Sequence, residues 1–590
     1  MLQKFLILSI IITKCLANDI TNLVFGSITD GLPAAFGDFN SDELTDVFVL
    51  RDGTRTVQIL LAAEEEPLLR PGINMQCTFA NNVTSVVPGD FDGDAFMDVL
   101  VTTFDTKNRK TFAYVLWGAL NNLSCTTETP LIEMIGQPLA IDYNQDMIID
   151  LFGVNKDKKR AFWIFGTNRT APRELLMNVS SDAPAIRYPH SNAFLDVNAD
   201  YTADLFLTTK DHFEIWYGSE IDREFIFNNT IIPKPPGYHI GQSIFIDVEL
   251  IGQMDLITPV CYDKGCENST ILVYKKDTWQ DLNIDFKDTD NRVWGFVDPN
   301  GKDGQLYTNV ITLRSGDFNM DGYPDILATL KPNPNGAPQS FFLENVHCET
   351  GCGSLNRTYV IRWKALRPFN NNTVMAVFYD FYQDGILDLI FVQKSMTSPT
   401  SPYKISAFRN NLDYDATFIK VMVLTGLTNS NNHMIVGNLG KKKRTYGTNL
   451  PGPRISIKFR QEAKLRRAVS AQLPQSAHFS LNLPFTIFGL GRTPNFVDTL
   501  TVGLSNRSRD WTQIIPNSQM VVIPWPTDEP SKWKAQLFVT PSKLILMSVA
   551  GLTGLCGIIT LIILGLYWKE RQEDRKERLQ ESHRFHFDAM

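Results

Sequence analysis

Gly37-Asp38-Phe39-Asn40-Ser41-Asp42-Glu43-Leu44-Thr45-Asp46-Val47-Phe48-Val49 is the stretch that decides the fold. Oxygen-bearing side chains stand at loop positions 1, 3, 5 and 9 (Asp38, Asn40, Asp42 and Asp46), and an apolar run follows at once. A tight turn with that spacing converges its first three oxygens on one point. Position 7 offers a backbone carbonyl, and position 9 returns a carboxylate. Hard oxygens in an irregular shell suit Ca²⁺, whereas Mg²⁺ demands a stricter octahedron. An EF-hand is excluded, because position 12 is Val49 instead of a bidentate Glu and no helix flanks the loop. The apolar run after position 9 predicts a buried strand.

The pattern recurs along the chain. Asp90, Asp92, Asp94 and Asp98 form a second copy, and Asp142, Asn144, Asp146 and Asp150 a third. Asp196, Asn198, Asp200 and Asp204 form a fourth, and Asp317, Asn319, Asp321 and Asp325 a sixth. The fifth copy, from Asp247, has Ile251 at position 5, so no tight ion is expected there. The seventh keeps Asp380, Asp384 and Asp388 but has Tyr382 at position 3, and is expected to bind weakly. About five or six structural calcium sites are therefore expected. Successive first acids are separated by 52, 52, 54, 51, 70 and 63 residues, which marks one supersecondary unit per repeat. Each period accommodates four short strands, and radial closure hides the strand edges. The fold class expected for residues 18–412 is an all-β, seven-bladed β-propeller.

The flanks set the topology. Residues 1–17 read as a signal peptide, with Lys4 ahead of an apolar run too short to span a bilayer. Leu544–Trp568 is uncharged for 25 residues and reads as a transmembrane helix, with Tyr567 and Trp568 where an interfacial aromatic belt would lie. The expected arrangement is a single-pass type I protein of the plasma membrane, its N-terminus outside. N-glycosylation sequons at Asn82, Asn122, Asn168, Asn178, Asn228, Asn268, Asn356, Asn371 and Asn506 all fall on the proposed outer side. So do six cysteines, for which nearest-neighbour pairing gives Cys77–Cys125, Cys261–Cys266 and Cys348–Cys352. A net charge of −8, from 64 acidic and 56 basic residues, gives no reason to bind nucleic acid.

Residues 413–523 carry no acid loop and read as a small β-sandwich-like domain, from alternating or apolar runs such as Phe418–Val423 and Leu500–Leu504. Lys441-Lys442-Lys443-Arg444 reads as a solvated hairpin tip. Residues 524–543, opening Pro524-Trp525-Pro526, read as a stiff stalk, and 569–590 as a short cytoplasmic tail with six basic and six acidic side chains. No enzyme is indicated: the extracellular histidines are scattered, and no metalloprotease or nucleophile-elbow pattern occurs.

At its loops the sequence resembles the FG-GAP repeats of integrin α-subunits, most closely at Phe36-Gly37-Asp38-Phe39-Asn40. The resemblance implies a seven-bladed propeller with calcium loops on the face away from the ligand. It stops near residue 412, and the tail Trp568-Lys569-Glu570-Arg571-Gln572 lacks the integrin Gly-Phe-Phe-Lys-Arg sequence. In its whole plan the chain is similar to the T-cell immunomodulatory protein (linkin) family. That resemblance implies a cell-surface protein of adhesion or immune modulation with an extracellular protein or glycan ligand. It also implies RuvB-like ATPases and tubulin as partners of the tail. A shed or secreted regulatory ectodomain and a secretory-pathway assembly factor are the alternative roles.

The topology has a direct check. Removal of N-glycans from surface-labelled protein is expected to lower its apparent mass, and an unchanged mass would contradict the outward placement of all nine sequons.

Overall fold

The computed structural model describes residues 17–119, 122–180, 183–219, 224–297, 299, 310–333, 336–366, 371–395, 402–411, 416–428, 435–436, 442–443, 446–461, 464–475, 479–492, 496–539 and 543–585. The signal segment, apart from Ala17, lies outside these residues, as do Lys441, Arg444 and the last five residues of the tail. The described residues form two compact units, 1–538 and 539–590.

The first unit is almost entirely β. Each of the seven acid loops joins two antiparallel strands in the same register. The residue before position 1 faces position 9, as Gly37↔Asp46, Gly89↔Asp98, Ile141↔Asp150, Leu195↔Asp204, Ile246↔Asp255, Gly316↔Asp325 and Tyr379↔Asp388. The strands are short, Leu32–Gly37 and Asp46–Arg51 in the first repeat, and their residues are buried on both faces. That explains the continuous apolar runs, since a strand covered on both sides has no polar alternation.

The seven loops fall on six sheets, because the ten-residue strand Ile132–Ile141 serves two repeats. Its start pairs Ile132↔Ala113 with the second repeat, and its end pairs Ile141↔Asp150 within the third. A register shift between Ile135 and Leu139 separates the two halves.

Packing between repeats is cyclic. Val87 and Phe91 of the second repeat share a buried cluster with Ile149 and Leu151 of the third, and Phe152 of the third with Phe194 and Leu205 of the fourth. Phe206 of the fourth packs edge-on against Phe245 of the fifth at 4.9 Å between ring centroids. Val273 of the fifth clusters with Ile326 of the sixth, and Phe318 of the sixth with Phe378 of the seventh. The seventh then returns to the first, with Phe36 and Tyr379 at 5.4 Å, and the same cluster holds Val83 and Val99 of the second. The strand Ala17–Asp19 adds to Tyr403–Asn410, the last strand of the seventh repeat. Each fully buried Phe or Val in these seams contributes roughly 1.5–3 kcal/mol through area removed from water.

All three cysteine pairings are present: Cys77–Cys125, Cys261–Cys266 and Cys348–Cys352. The first ties the outer strand of the first repeat to the second. All nine sequon asparagines are exposed.

The membrane-proximal region is a sandwich of two four-stranded sheets. One is ordered Thr486–Gly491, Thr417–Val423, Ser518–Ile523, Lys534–Val539, and the other Lys464–Ala471, Arg454–Gln461, Val497–Leu504, Arg507–Ile514. Ile419 and Val421 of the first sheet share a core with Ile457 and Leu500 of the second. Residues 524–539 are therefore part of this domain, a correction to the stalk reading. Trp533 is the reason: it is 2% exposed, and its indole N–H donates to the Pro526 carbonyl at 2.9 Å. Arg509 also donates to the Trp533 carbonyl and, at 2.9 Å, to that of Ser531. Prolines that read as a stiff spacer instead place a large apolar anchor.

The second unit is a helix, Lys543–Phe585. Met547–Glu581 is long and apolar enough to cross a membrane, and no side chain of its apolar window is buried in the protein. The first part of the tail continues the same helix.

A Trp533→Ala variant is expected to lose roughly 3–5 kcal/mol of stability, as large-to-small core substitutions do. Thermal or denaturant melts check this; in a free stalk the substitution would be silent.

Candidate functional site

The acid loops are wound by their own side chains. In the first loop Asp38 accepts from the amides of Asp42 at 3.0 Å and Glu43 at 2.8 Å, and Asp42 accepts from that of Leu44 at 2.9 Å. The third loop repeats this, with Asp142 accepting from Asp146 and Met147 at 3.2 Å each and Asp146 from Ile148 at 2.9 Å. The sixth does the same through Asp317, Asp321, Gly322 and Tyr323. Short polar side chains that cap nearby amides favour such turns. The position-3 amide completes the motif, since Asn40, Asn144, Asn198 and Asn319 each donate to the position-5 carboxylate at 2.9, 2.7, 2.8 and 3.2 Å.

Position 9 has a structural role that spacing alone does not reveal. Asp46 accepts from the Phe39 amide at 2.7 Å and from the Ala62 amide of the next strand, also at 2.7 Å. Asp98, Asp150, Asp204 and Asp325 repeat this pair of bonds, through Phe91 and Gly118, Tyr143 and Phe165, Val197 and Gly218, and Phe318 and Asn345. In the seventh loop Asp388 accepts from Asn410 at 2.7 Å. These six carboxylates staple their loops to the third strand of the same repeat or to the residues just after it.

Burial and mutual repulsion make the loops electrostatically costly. Asp90 and Asp142 are each pushed up to about 7, chiefly by burial and then by neighbouring loop acids. Asp150 is pushed up to about 8 and Asp204 to about 7, again chiefly by burial. Asp46, Asp98 and Asp325 are raised well above the carboxylate range by burial and by the loop acids beside them. A cation among them relieves both costs, since opposite charge favours the ionised form.

The loops bring together donor types that fit calcium, and in the second loop the carboxylates converge even with Arg169 beside them. Ligand oxygens of Asp90, Asp92 and Asp98 lie within 4.8 Å of one another, and all three residues are buried. The third loop supplies Asp142, Asn144, Asp146 and the Ile148 carbonyl in one turn. These are the hard oxygens a flexible calcium shell takes.

Four loops hold a basic side chain, which the sequence reading missed. Arg169 pairs with Asp92 at 2.6 Å and Asp94 at 3.1 Å in the second. Arg454 Nη1 lies 3.6 Å from Asp196 Oδ2 in the fourth and donates to the Asp196 carbonyl at 3.2 Å. Lys275 bonds Glu249 and lies 3.6 Å from Asp255 in the fifth. Lys420 lies 3.6 Å from Asp380 in the seventh. Lys420 had a sequence signal, a lone charge inside the apolar strand Phe418-Ile419-Lys420-Val421-Met422-Val423. The others lie too far along the chain for spacing to find.

Lys420 and Arg454 come from the sandwich domain, which sits on the loop end of the repeats. Leu250 and Met147, both loop residues, bury in the sandwich core. Gly491 donates to the Met320 carbonyl at 3.2 Å, Gln461 to that of Asp321 at 3.3 Å, and Asn506 to that of Tyr201 at 3.2 Å. A Cβ at Gly489 would stand 2.0 Å from Asp317 Oδ2, so only glycine allows this approach.

Comparison with known proteins agrees with the layout. Residues 38–101 match a family described as FG-GAP-like repeat, and 445–538 match one described as ITFG1, C2 domain. The T-cell immunomodulatory protein of Homo sapiens is 38% identical over 97% of this chain and 94% of its own length. Protein linkin of Caenorhabditis elegans is 29% identical over 96% of this chain and 98% of its own. A T-cell immunomodulatory protein homolog of Plasmodium falciparum is 27% identical over 92% and 86%.

Two outcomes follow. Loop acids whose folded pKa lies above the ordinary 3.8 hold protons that the unfolded chain has released. Without divalent ions, stability should therefore fall as pH rises from about 4 to about 8, and saturating calcium should flatten that slope. Melts across pH with and without calcium check the sign. Gly489→Ala should cost about 1–3 kcal/mol through overpacking on Asp317, read by the same melts.

Proposed function

This chain belongs to the T-cell immunomodulatory protein family, and from that membership we propose that it is a calcium-stabilised cell-surface glycoprotein that works by binding other proteins in adhesion or immune modulation. The helix Lys543–Phe585 is its single membrane anchor, and the cyclically packed repeats form seven propeller blades outside the cell. The observation that carries this reading is the position of the sandwich domain. It covers the loop end of the repeats, through Lys420, Arg454 and Gly489. Each blade's next turns, such as Thr106–Lys110 and Lys156–Lys159, lie at the far ends of the same strands and are exposed. The scaffold thus spends one face on itself and leaves the other, the turn face, for partners. Calcium belongs to the covered face, where Asp142, Asn144 and Asp146, and their counterparts from Asp38 and Asp317, would hold it. Its part there is structural: an ion bound only by the folded state stabilises it by mass action. The immune or adhesive role follows from the relatives' names and from a surface domain with no catalytic constellation among the described residues.

Two measurements test this. In full-length protein in detergent, EGTA should lower the melting temperature by several degrees and calcium should restore it; a melt indifferent to EGTA removes calcium from the account. Surface biotinylation of expressing cells should label the protein, and its confinement to internal membranes would contradict a surface role.

A further inference from the structure

The Asp380 loop differs from its sisters in two ways that belong together. Its position 3 is Tyr382, which offers neither the amide nor the carboxylate oxygen found there in the other loops, and the Lys420 ammonium stands against its first acid. Lys420 Nζ lies 3.6 Å from Asp380 Oδ2, with the two side chains 1% and 0% exposed. The same ammonium donates to Gln383 Oε1 of the loop at 2.7 Å and lies 3.9 Å from the centroid of Phe485. Such a site already has its positive charge. A divalent ion entering it would meet a buried like charge and one ligand fewer. Lys420 belongs to a different domain from the loop, on the strand Thr417–Val423. Phe418, on the same strand, fills the space a side chain at Gly385 of the loop would need: a Cβ there would stand 2.2 Å from its ring. Arg454 repeats the arrangement at the fourth loop. Its guanidinium faces Asp196 and donates to the Asp196 and Gly252 carbonyls at 3.2 Å each, spanning the fourth and fifth loops.

We propose that the Asp380 loop is a socket for a protein-borne cation in place of a divalent ion, with Lys420 as the plug, and that Arg454 plugs the Asp196 loop in the same way. The loop end of the repeats is then the surface that clasps the membrane-proximal domain, and a loop with Tyr382 at position 3 serves as a domain lock. The term plug rests on the reading of the sister loops as calcium sites, but the lock does not. Removing one partner of a buried pair leaves an uncompensated charge, whereas removing both leaves none.

Calcium bound per chain is counted by equilibrium dialysis with radiolabelled calcium on full-length protein in detergent. Lys420→Met is expected to bind one calcium more than the natural chain, because the vacated acids take an ion. Lys420→Arg should keep the natural count, and Lys420→Met with Asp380→Asn should gain none. If the natural chain binds calcium and folded Lys420→Met binds no more, the proposal falls while the calcium reading of the other loops stands. If the natural chain binds none and Lys420→Met gains one, the proposal stands and that reading falls. If Lys420→Met does not fold, adding Asp380→Asn should restore a cooperative melt, and failure to restore it overturns the proposal.

Discussion

Carboxylates crowded into one buried turn need positive charge, and the architecture of this chain follows from how that need is met. Each loop winds its first acid onto its own amides, and six of the seven anchor their last acid to a neighbouring strand. That wiring makes the turn rigid and brings the acids together. Burial then makes their ionisation costly, which desolvation alone explains to first order. One solution, proposed for loops such as that of Asp142, is a calcium ion on a set of hard oxygens; the second is a basic side chain supplied by the protein, as at Asp380 and Asp196.

The second solution joins the domains. A buried lysine on an otherwise apolar strand is expensive unless it is paired, and its partner lies in the repeat array. Glycines at 385 and 489 admit the close approach on either side of the interface. The loop end, which resembles an ion-binding surface, is thus also an internal interface. For the proposed binding role the consequence is spatial, since the turns at the other end of the strands are the face left open.

Much of this was legible in the residues. The acid spacing and its recurrence identified the repeats, their first strands and the cyclic all-β array, because a two-faced burial pattern and a ligand pattern are both local. The cysteine pairs were legible because the nearest neighbours were also the true ones. Three things were not. Trp533 made a domain strand out of an expected stalk, since a proline-rich run says little about what its aromatic residue packs against. The merging of the second and third repeats through Ile132–Ile141 depends on strand length and register, which propensity does not set. Arg169, Arg454 and Lys275 reach acids tens to hundreds of residues away or across a sheet, so only the folded chain brings charge and countercharge together.

Anomalous diffraction from crystals of the ectodomain soaked with a lanthanide locates every acid loop that takes a hard cation. The account predicts peaks within the turns that begin at Asp142 and Asp317 and none beside Lys420. Crystals in which no acid turn carries a peak, or in which the strongest peak lies against Asp380 with Lys420 displaced, would contradict it.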